Sequence, residues 1–223
     1  MAKRSLQSQP ATSRPAAANG PPERPAADRP AADRPAADRI VDVARELFCR
    51  DGIHATGIDR ILSAAGASKM TLYTRFGSKE ALVREVLQRE GADWRENFFA
   101  AVLAGGADAL TQLHHVVPAL AAWFDSGRFY GCSFMNAAAE HSKGDPMLRE
   151  MAADHHRQIL AFLQGLTETA EMEEPAFLAR QILLTIDGTI AALMVLGDPL
   201  ALVVAERNLR SILKQNQPAL QIN

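Results

Sequence analysis

Between residues 40 and 48 the apolar positions are Ile40, Val43, Ala44, Leu47 and Phe48. Steps of three and four put them on one face of a helix, which Gly52 closes. Thr56 then stands as an N-cap, and Asp59, three residues on, makes a partial capping box. Ile58, Ile61, Leu62 and Ala65 draw the apolar line of a short second helix ended by Gly66. Ser68 caps a third helix, which stops at Gly77, and Ser78 caps a fourth. The fourth is predicted over 78–104, and later helices near 107–126, 132–142, 146–171, 175–196 and 199–216. Asp145-Pro146 and Asp198-Pro199 each supply a cap followed by proline at the first helical position. No period-two run bounded by turn residues occurs, so the fold class is all-α.

The most apolar segment, Ile182 to Ala205, is interrupted by Asp187 and split by Gly197-Asp198-Pro199. Each half is shorter than the roughly 20 residues of a membrane span, so two packed helices at a dimer interface are expected and no membrane partner. The first helical line begins only at Arg39. Before it, "RPAAD" stands three times in tandem, at 24–28, 29–33 and 34–38. Proline every five residues breaks helices and alanine buries little, so residues 1–38 are expected to lack a packed structure. The domain reading is a low-complexity tail at 1–33, a helix-turn-helix domain at 34–94 and a helical body at 95–223.

The third helix carries few apolar residues. At about 100° per residue, Leu72 and Phe76 face the first two helices while Met70, Thr71 and Thr74 face away, flanked by Tyr73 and Arg75. No acid lies between Asp59 and Glu80, whereas Arg60, Lys69, Arg75 and Lys79 do. The net charge of −2 conceals +2 over 1–38, +2 over 39–90 and −6 over 91–223. A face of hydroxyls, amphipathic ring and cations without carboxylate suits phosphate and base edges. Ser78 and Lys79, and likewise Thr56 and Gly57, sit where helix N-termini offer free N–H groups to phosphate. The candidate DNA-contact set is Thr56, Gly57, Ser68, Lys69, Met70, Thr71, Tyr73, Thr74, Arg75, Ser78 and Lys79; the spacing alone fits an ordinary three-helix subdomain with a polar surface equally well.

The residues "A..LF...G" from Ala44 to Gly52, then "T.ID.I..AAGASK.TLY..FGSKEAL", resemble the DNA-binding domain of TetR-family transcriptional regulators. The resemblance covers about 50 residues without a gap. It implies a three-helix DNA-reading head, followed by an all-helical ligand-binding and dimerisation body. It places the reading motif at Gly57–Phe76 and sets Tyr73 and Lys79 at phosphate-contacting positions. Met70 replaces a usually small residue, and Thr74 and Arg75 stand where aromatic or His residues are common. The expected partners are a palindromic double-stranded operator, a small, largely apolar effector, and a second copy paired through the last two helices. The resemblance implies a cytoplasmic repressor that the effector releases.

Trp123, Phe124, Phe134, Met135, Met151, His155, Phe162 and Asp187 are the candidates for an effector pocket, against a reading of most of them as core. Asp187 either binds a polar group of the effector or pairs with an Arg across the interface. Cys132 begins a helix, where the dipole lowers a thiol pKa, although a small packed residue is the plainer reading. The cysteines Cys49 and Cys132 form no metal-spacing pattern, and no leader-like apolar run opens the chain. His114-His115, His155-His156 and His141 invite a metal reading, but neighbours on a helix point about 100° apart, and no metal or cofactor is expected. GxGxxG, Walker, HExxH and GxSxG sequences do not occur, so no enzyme is expected. The alternative is a helical small-molecule-binding protein or enzyme with no role on DNA.

Overall fold

A computed structural model of the chain describes residues 35–127, 129–140 and 146–217. Among them are ten helices and no strand. α1 is Ala36–Asp51, α2 Ile58–Ala65, α3 Lys69–Phe76 and α4 Lys79–Ala104. α5 is Ala109–His114, α6 Val116–Phe124, α7 Ser133–Glu140, α8 Pro146–Thr169, α9 Pro175–Leu196 and α10 Leu200–Gln215.

α1 begins inside the third RPAAD repeat, three residues before the expected change at Arg39. Its N-cap is Pro35, whose carbonyl accepts the Arg39 N–H at 3.1 Å. A proline that breaks a helix interior costs nothing at its entrance, where the missing N–H would have no partner. Asp38, in the first turn, meets Arg89 of α4 at 3.3 Å and fixes this start. The repeats upstream of residue 35, the Asp145 cap and His141 lie outside the described residues.

α1 buries Ile40, Val41, Ala44, Leu47 and Phe48. Val41 takes a core place that the periodic line assigned to Val43, which is half-buried. The stripe is broad because α1 touches α2, α3 and α4 together. Leu72, fully buried, is the anchor of α3, with Phe76 packed beside it. The turn between α2 and α3 is closed from beneath by Arg39. Its guanidinium donates to the carbonyls of Ala65 at 3.0 Å and Gly66 at 3.1 Å, satisfying acceptors that the end of α2 leaves open.

Three local expectations are corrected. Thr56 does not cap α2: the N-cap is Gly57, without a side-chain bond. The Thr56 hydroxyl points inward instead and donates to the Gly52 carbonyl at 2.7 Å, with the Leu47 carbonyl at 3.4 Å. The helix expected over 107–126 is two helices that break at His115. Pro118 has no N–H for the His114 carbonyl four residues back, so the ladder stops there. The Ser68 and Ser78 hydroxyls accept the Thr71 and Ala81 N–H groups, each at 3.1 Å. At α10 the N-cap is Pro199 and not Asp198, and the helix begins at Leu200, whose N–H the Asp198 carboxylate accepts at 2.9 Å.

α4, of 26 residues, belongs to both halves of the fold. Leu82, Val83, Val86 and Leu87 complete the core under α1, and Phe98 and Val102 join the core of the body. α8 and α9 form the most extensive helix pair, with α10 against α9. α9 is long and apolar enough, by length and composition, to cross a membrane. One of its faces is buried on α8 and α10, through Leu178, Ile182 and Ile186.

Replacing Leu72 by Ala removes the anchor of α3 from a closed core. Denaturant unfolding is expected to show a loss of about 2–5 kcal/mol, the range for a buried Leu→Ala change that leaves a cavity.

Candidate functional site

The outward face of α3 is built by subtraction. Leu72 and Phe76 take the inner side, which leaves Lys69, Met70, Tyr73, Thr74 and Arg75 exposed, with Thr71 half-exposed. Met70 is 78% and Tyr73 50% exposed, large apolar surface that this small head leaves in water. Thr71 also bonds to Ser68, hydroxyl to hydroxyl at 2.9 Å, which steadies the first turn.

Most of the cations near this face are held by intramolecular partners. Lys69 meets Asp59 at 2.8 Å and Arg60 meets Asp51 at 2.8 Å, both on the surface, where such pairs hold weakly and yield to phosphate. Arg75 lies over the Phe76 ring, 5.7 Å from its centroid. Lys79 donates to the Ile53 carbonyl at 2.7 Å and so ties the start of α4 to the α1–α2 loop. The phosphate-contact candidate thus has a structural duty that its sequence position does not reveal. Thr56 is fully buried, backbone included, so it is removed from the DNA-contact set and only Gly57 at the start of α2 is exposed.

A second site lies in the body. Glu90, Gly91 and Trp94 of α4, Trp123 of α6 and the start of α7 form one side. His155, His156 and Ile159 of α8 and Ile186, Asp187 and Ile190 of α9 form the other. The pocket has about 400 Å³ of space between atoms, but the side chains close on one another and leave clear room for roughly one water. Of the candidates, Trp123, Phe134, His155 and Asp187 come together here. Phe124, Met135, Met151 and Phe162 do not: Phe124 packs edge-on to Phe129 at 5.3 Å, and Phe162 stacks on Phe99 at 4.0 Å. Met151 opens instead on a groove with Arg95 and Arg157, and Met135 packs against the core. Glu90, Trp94 and His156 escaped the sequence reading. Trp94 had a signal, since a Trp on α4 one helical turn before Phe98 belongs to the inner face.

The two adjacent histidines have opposite electrostatics. His155 stacks on Phe134 at 4.2 Å, and its Nδ1 faces the Arg95 guanidinium at 2.8 Å. Burial first, then the charge of Arg95, pushes its pKa down to about 3, so the ring is neutral and accepts from Arg95. In His156, Nε2 faces the Asp187 carboxylate at 3.4 Å, and Nδ1 donates to the Ala152 carbonyl at 2.9 Å. With acceptors at both nitrogens its pKa is raised, chiefly by the bond to Asp187. Asp187 therefore has a partner within its own chain, a third answer beside the two expected. Burial pushes the Cys132 thiol upward against the helix-end N–H groups, so the reading of a dipole-activated thiol is corrected. Among the described residues no cluster of His, Cys, Asp or Glu is placed to hold a metal.

The sequence profile described as "Bacterial regulatory proteins, tetR family" matches residues 40–86. An uncharacterised HTH-type transcriptional regulator of Mycobacterium tuberculosis is 31% identical over 182 residues, covering 72% of this chain and 90% of that protein. The HTH-type transcriptional regulator QacR of Staphylococcus aureus is 39% identical over 60 residues, 27% of this chain and 32% of QacR. A crystal structure of a TetR-family transcriptional regulator from Streptomyces coelicolor superposes with a TM-score of 0.74 at 24% identity, covering 82% of this chain and 96% of that one.

The pocket electrostatics are checked by NMR titration of the histidine rings. His155 is expected to show no titration between about pH 8 and pH 5, and His156 a midpoint above 6.5 that falls in Asp187→Asn. Because the raised pKa of His156 belongs to the folded state, its contribution to stability is full below about 6.5 and fades as pH rises through the folded value. His155 acts in reverse and weakens the fold as pH falls below about 6.5 towards 3.

Proposed function

Because the chain belongs to the TetR family of DNA-binding transcriptional regulators, we propose that it represses from a palindromic operator and is released when a small effector enters the pocket between α4, α7, α8 and α9. The observation that carries the reading is the α3 face: exposed Met70, Tyr73, Thr74 and Arg75 with no carboxylate among them. α3 is the recognition helix in the major groove. Met70, Thr71, Thr74 and Arg75 read base edges, while Tyr73 and the α4 N-terminus at Ser78 and Lys79 meet phosphate.

The effector is a flat, largely apolar molecule. Trp94, Trp123 and Phe134 line the pocket with rings, and the Glu90 and Asp187 carboxylates supply acceptors. The dimer forms through α9 and α10, in a cytoplasmic protein. Leu184, Val195, Leu196 and Leu200 on these helices are 71%, 74%, 71% and 58% exposed, a density of apolar surface that a second copy would cover. The same surface accounts for the high hydropathy of α9 without a lipid phase. Release follows from linkage: an effector that binds better to the DNA-incompetent spacing of the two heads lowers operator affinity.

Selection from a pool of random duplexes is expected to return a palindrome whose half-sites lie about one helical turn apart. Equal binding to all duplexes in competition would contradict sequence-specific reading. Tyr73→Ala is expected to weaken binding to every duplex alike. Thr71→Ala or Met70→Ala changes the preferred base at one position of each half-site, by about 1–3 kcal/mol. Leu184→Glu places a charge in the proposed interface. Sedimentation is expected to show a monomer, whereas an unchanged mass would move the interface elsewhere.

A further inference from the structure

We propose that Arg95 is the anchor for a single negative charge on the effector, which makes that effector an apolar molecule carrying one carboxylate. The inference rests on the reading of the body pocket as the effector site, and it adds the charge of what that site takes.

The other charges around the pocket are met within the chain. Glu90 is bound by Arg45, which also holds Asp93 at 2.7 Å. Asp187 has His156 at 3.4 Å. Phe134 and His155 line both the pocket and a neighbouring groove, whose polar walls are Gln88, Arg95, Glu150, Asp154 and Arg157. In that groove Arg157 meets Glu150 at 2.6 Å and Asp154 at 3.6 Å, and Gln158 donates to Asp154 at 2.7 Å. Arg95 differs from all of these. Among the described residues no carboxylate stands within ion-pair distance of it. Its Nη1 donates to Nδ1 of the neutral His155 ring at 2.8 Å, and its Nε–Nη2 edge has no hydrogen-bond partner among the described residues.

Residue 91 sets where that guanidinium lies. Arg95 follows Gly91 by one turn of α4, so the two share a face. A Cβ at residue 91 would come within 3.0 Å of Arg95 Nη1 and 2.6 Å of the Phe134 ring. Gly91 is itself pocket wall, so the glycine lets the guanidinium fold back against the rings that part the pocket from the groove. Burial pulls the guanidinium below its ordinary pKa, and Asp154 opposes the fall from a distance. A cation drawn partly out of water beside a neutral partner lacks the compensation that such a charge needs. A carboxylate supplies it through two parallel N–H···O bonds along the open edge. Glu150 and Asp154 in the same groove repel a doubly charged phosphate more than a carboxylate, which selects the single charge. An organic cation would have to displace Arg45 from Glu90 or His156 from Asp187, and so gains least.

One apolar body in three charge states tests the anchor: 4-phenylbutyrate, its neutral amide 4-phenylbutanamide, and 4-phenylbutylamine. Both tryptophans of the chain, Trp94 and Trp123, line the pocket. Their emission, excited where a phenyl ring does not absorb, therefore reads occupancy. Affinities are measured on the full-length wild type, Arg95→Gln and Arg95→Lys. The wild type is expected to bind the carboxylate roughly tenfold to hundredfold tighter than the amide, as charge-assisted bonds imply, and the ammonium most weakly. Arg95→Gln is expected to bring the carboxylate down to the level of the amide and to leave the amide unchanged. Arg95→Lys keeps the charge without the fork and is expected to fall between. If Arg95→Gln does not fold, Arg95→Lys and the wild-type order of the three probes decide. Equal affinity for carboxylate and amide, tightest binding of the ammonium, or a carboxylate preference that survives Arg95→Gln overturns the anchor and leaves the pocket as the effector site. No change in emission with any of the three overturns the effector reading of the pocket, and the anchor falls with it.

Discussion

The packing of α4 beneath α1 is the contact on which the rest of the molecule depends. Leu82, Val83, Val86 and Leu87 close a core that three short helices could not close alone. α2 and α3 are eight residues each, well below the length at which a helix is stable in water, so their structure comes from that burial. Because the same helix continues through Glu90, Gly91 and Trp94, the head cannot be built without extending its rigid support into the wall of the pocket. The helix that stabilises the head is thus also a wall of the pocket, a direct physical route for the proposed coupling of the two sites.

This arrangement explains why the reading face can be so poor in anchors. Leu72 and Phe76 hold α3 on one side, and capping at Ser68 and the Arg39 fork under Ala65 and Gly66 hold its ends. With the helix fixed by those contacts, Met70, Tyr73, Thr74 and Arg75 contribute little to stability and remain available for recognition. The intramolecular pairs of Lys69 and Arg60 keep that surface ordered without DNA, and phosphate can replace them at small cost.

Much of this was legible in the chain. The inward side of α3, the Ser68 and Ser78 caps and α9 over 175–196 follow from local periodicity and turn chemistry, which act within one or two turns. What escaped is what depends on distant partners. Thr56 has the residue type of a cap but finds better acceptors inward, at Gly52 and Leu47. Lys79 looks like a phosphate ligand and also holds Ile53. The pocket is half visible in the chain: Trp123, Phe134, His155 and Asp187 stand out as candidates by residue type, whereas Glu90 and His156 join them only because α4, α8 and α9 converge. No periodicity signals the bond from Glu140 to His54.

The central claim is that a dimer built on α9 and α10 sets the spacing of two reading heads. Pulsed electron spin resonance tests it most directly, with a nitroxide at exposed Ser63 on α2 in a background where Cys49 is replaced by Ser. Bound to its selected duplex, the protein is predicted to give one narrow inter-label distance, consistent with recognition helices about 34–36 Å apart. The distribution is predicted to shift or broaden in Gly91→Ala, whose added Cβ would stand 2.6 Å from the Phe134 ring in the pocket wall and displace it. The absence of any inter-label distance, or a distribution indifferent to both DNA and the pocket, would contradict the account.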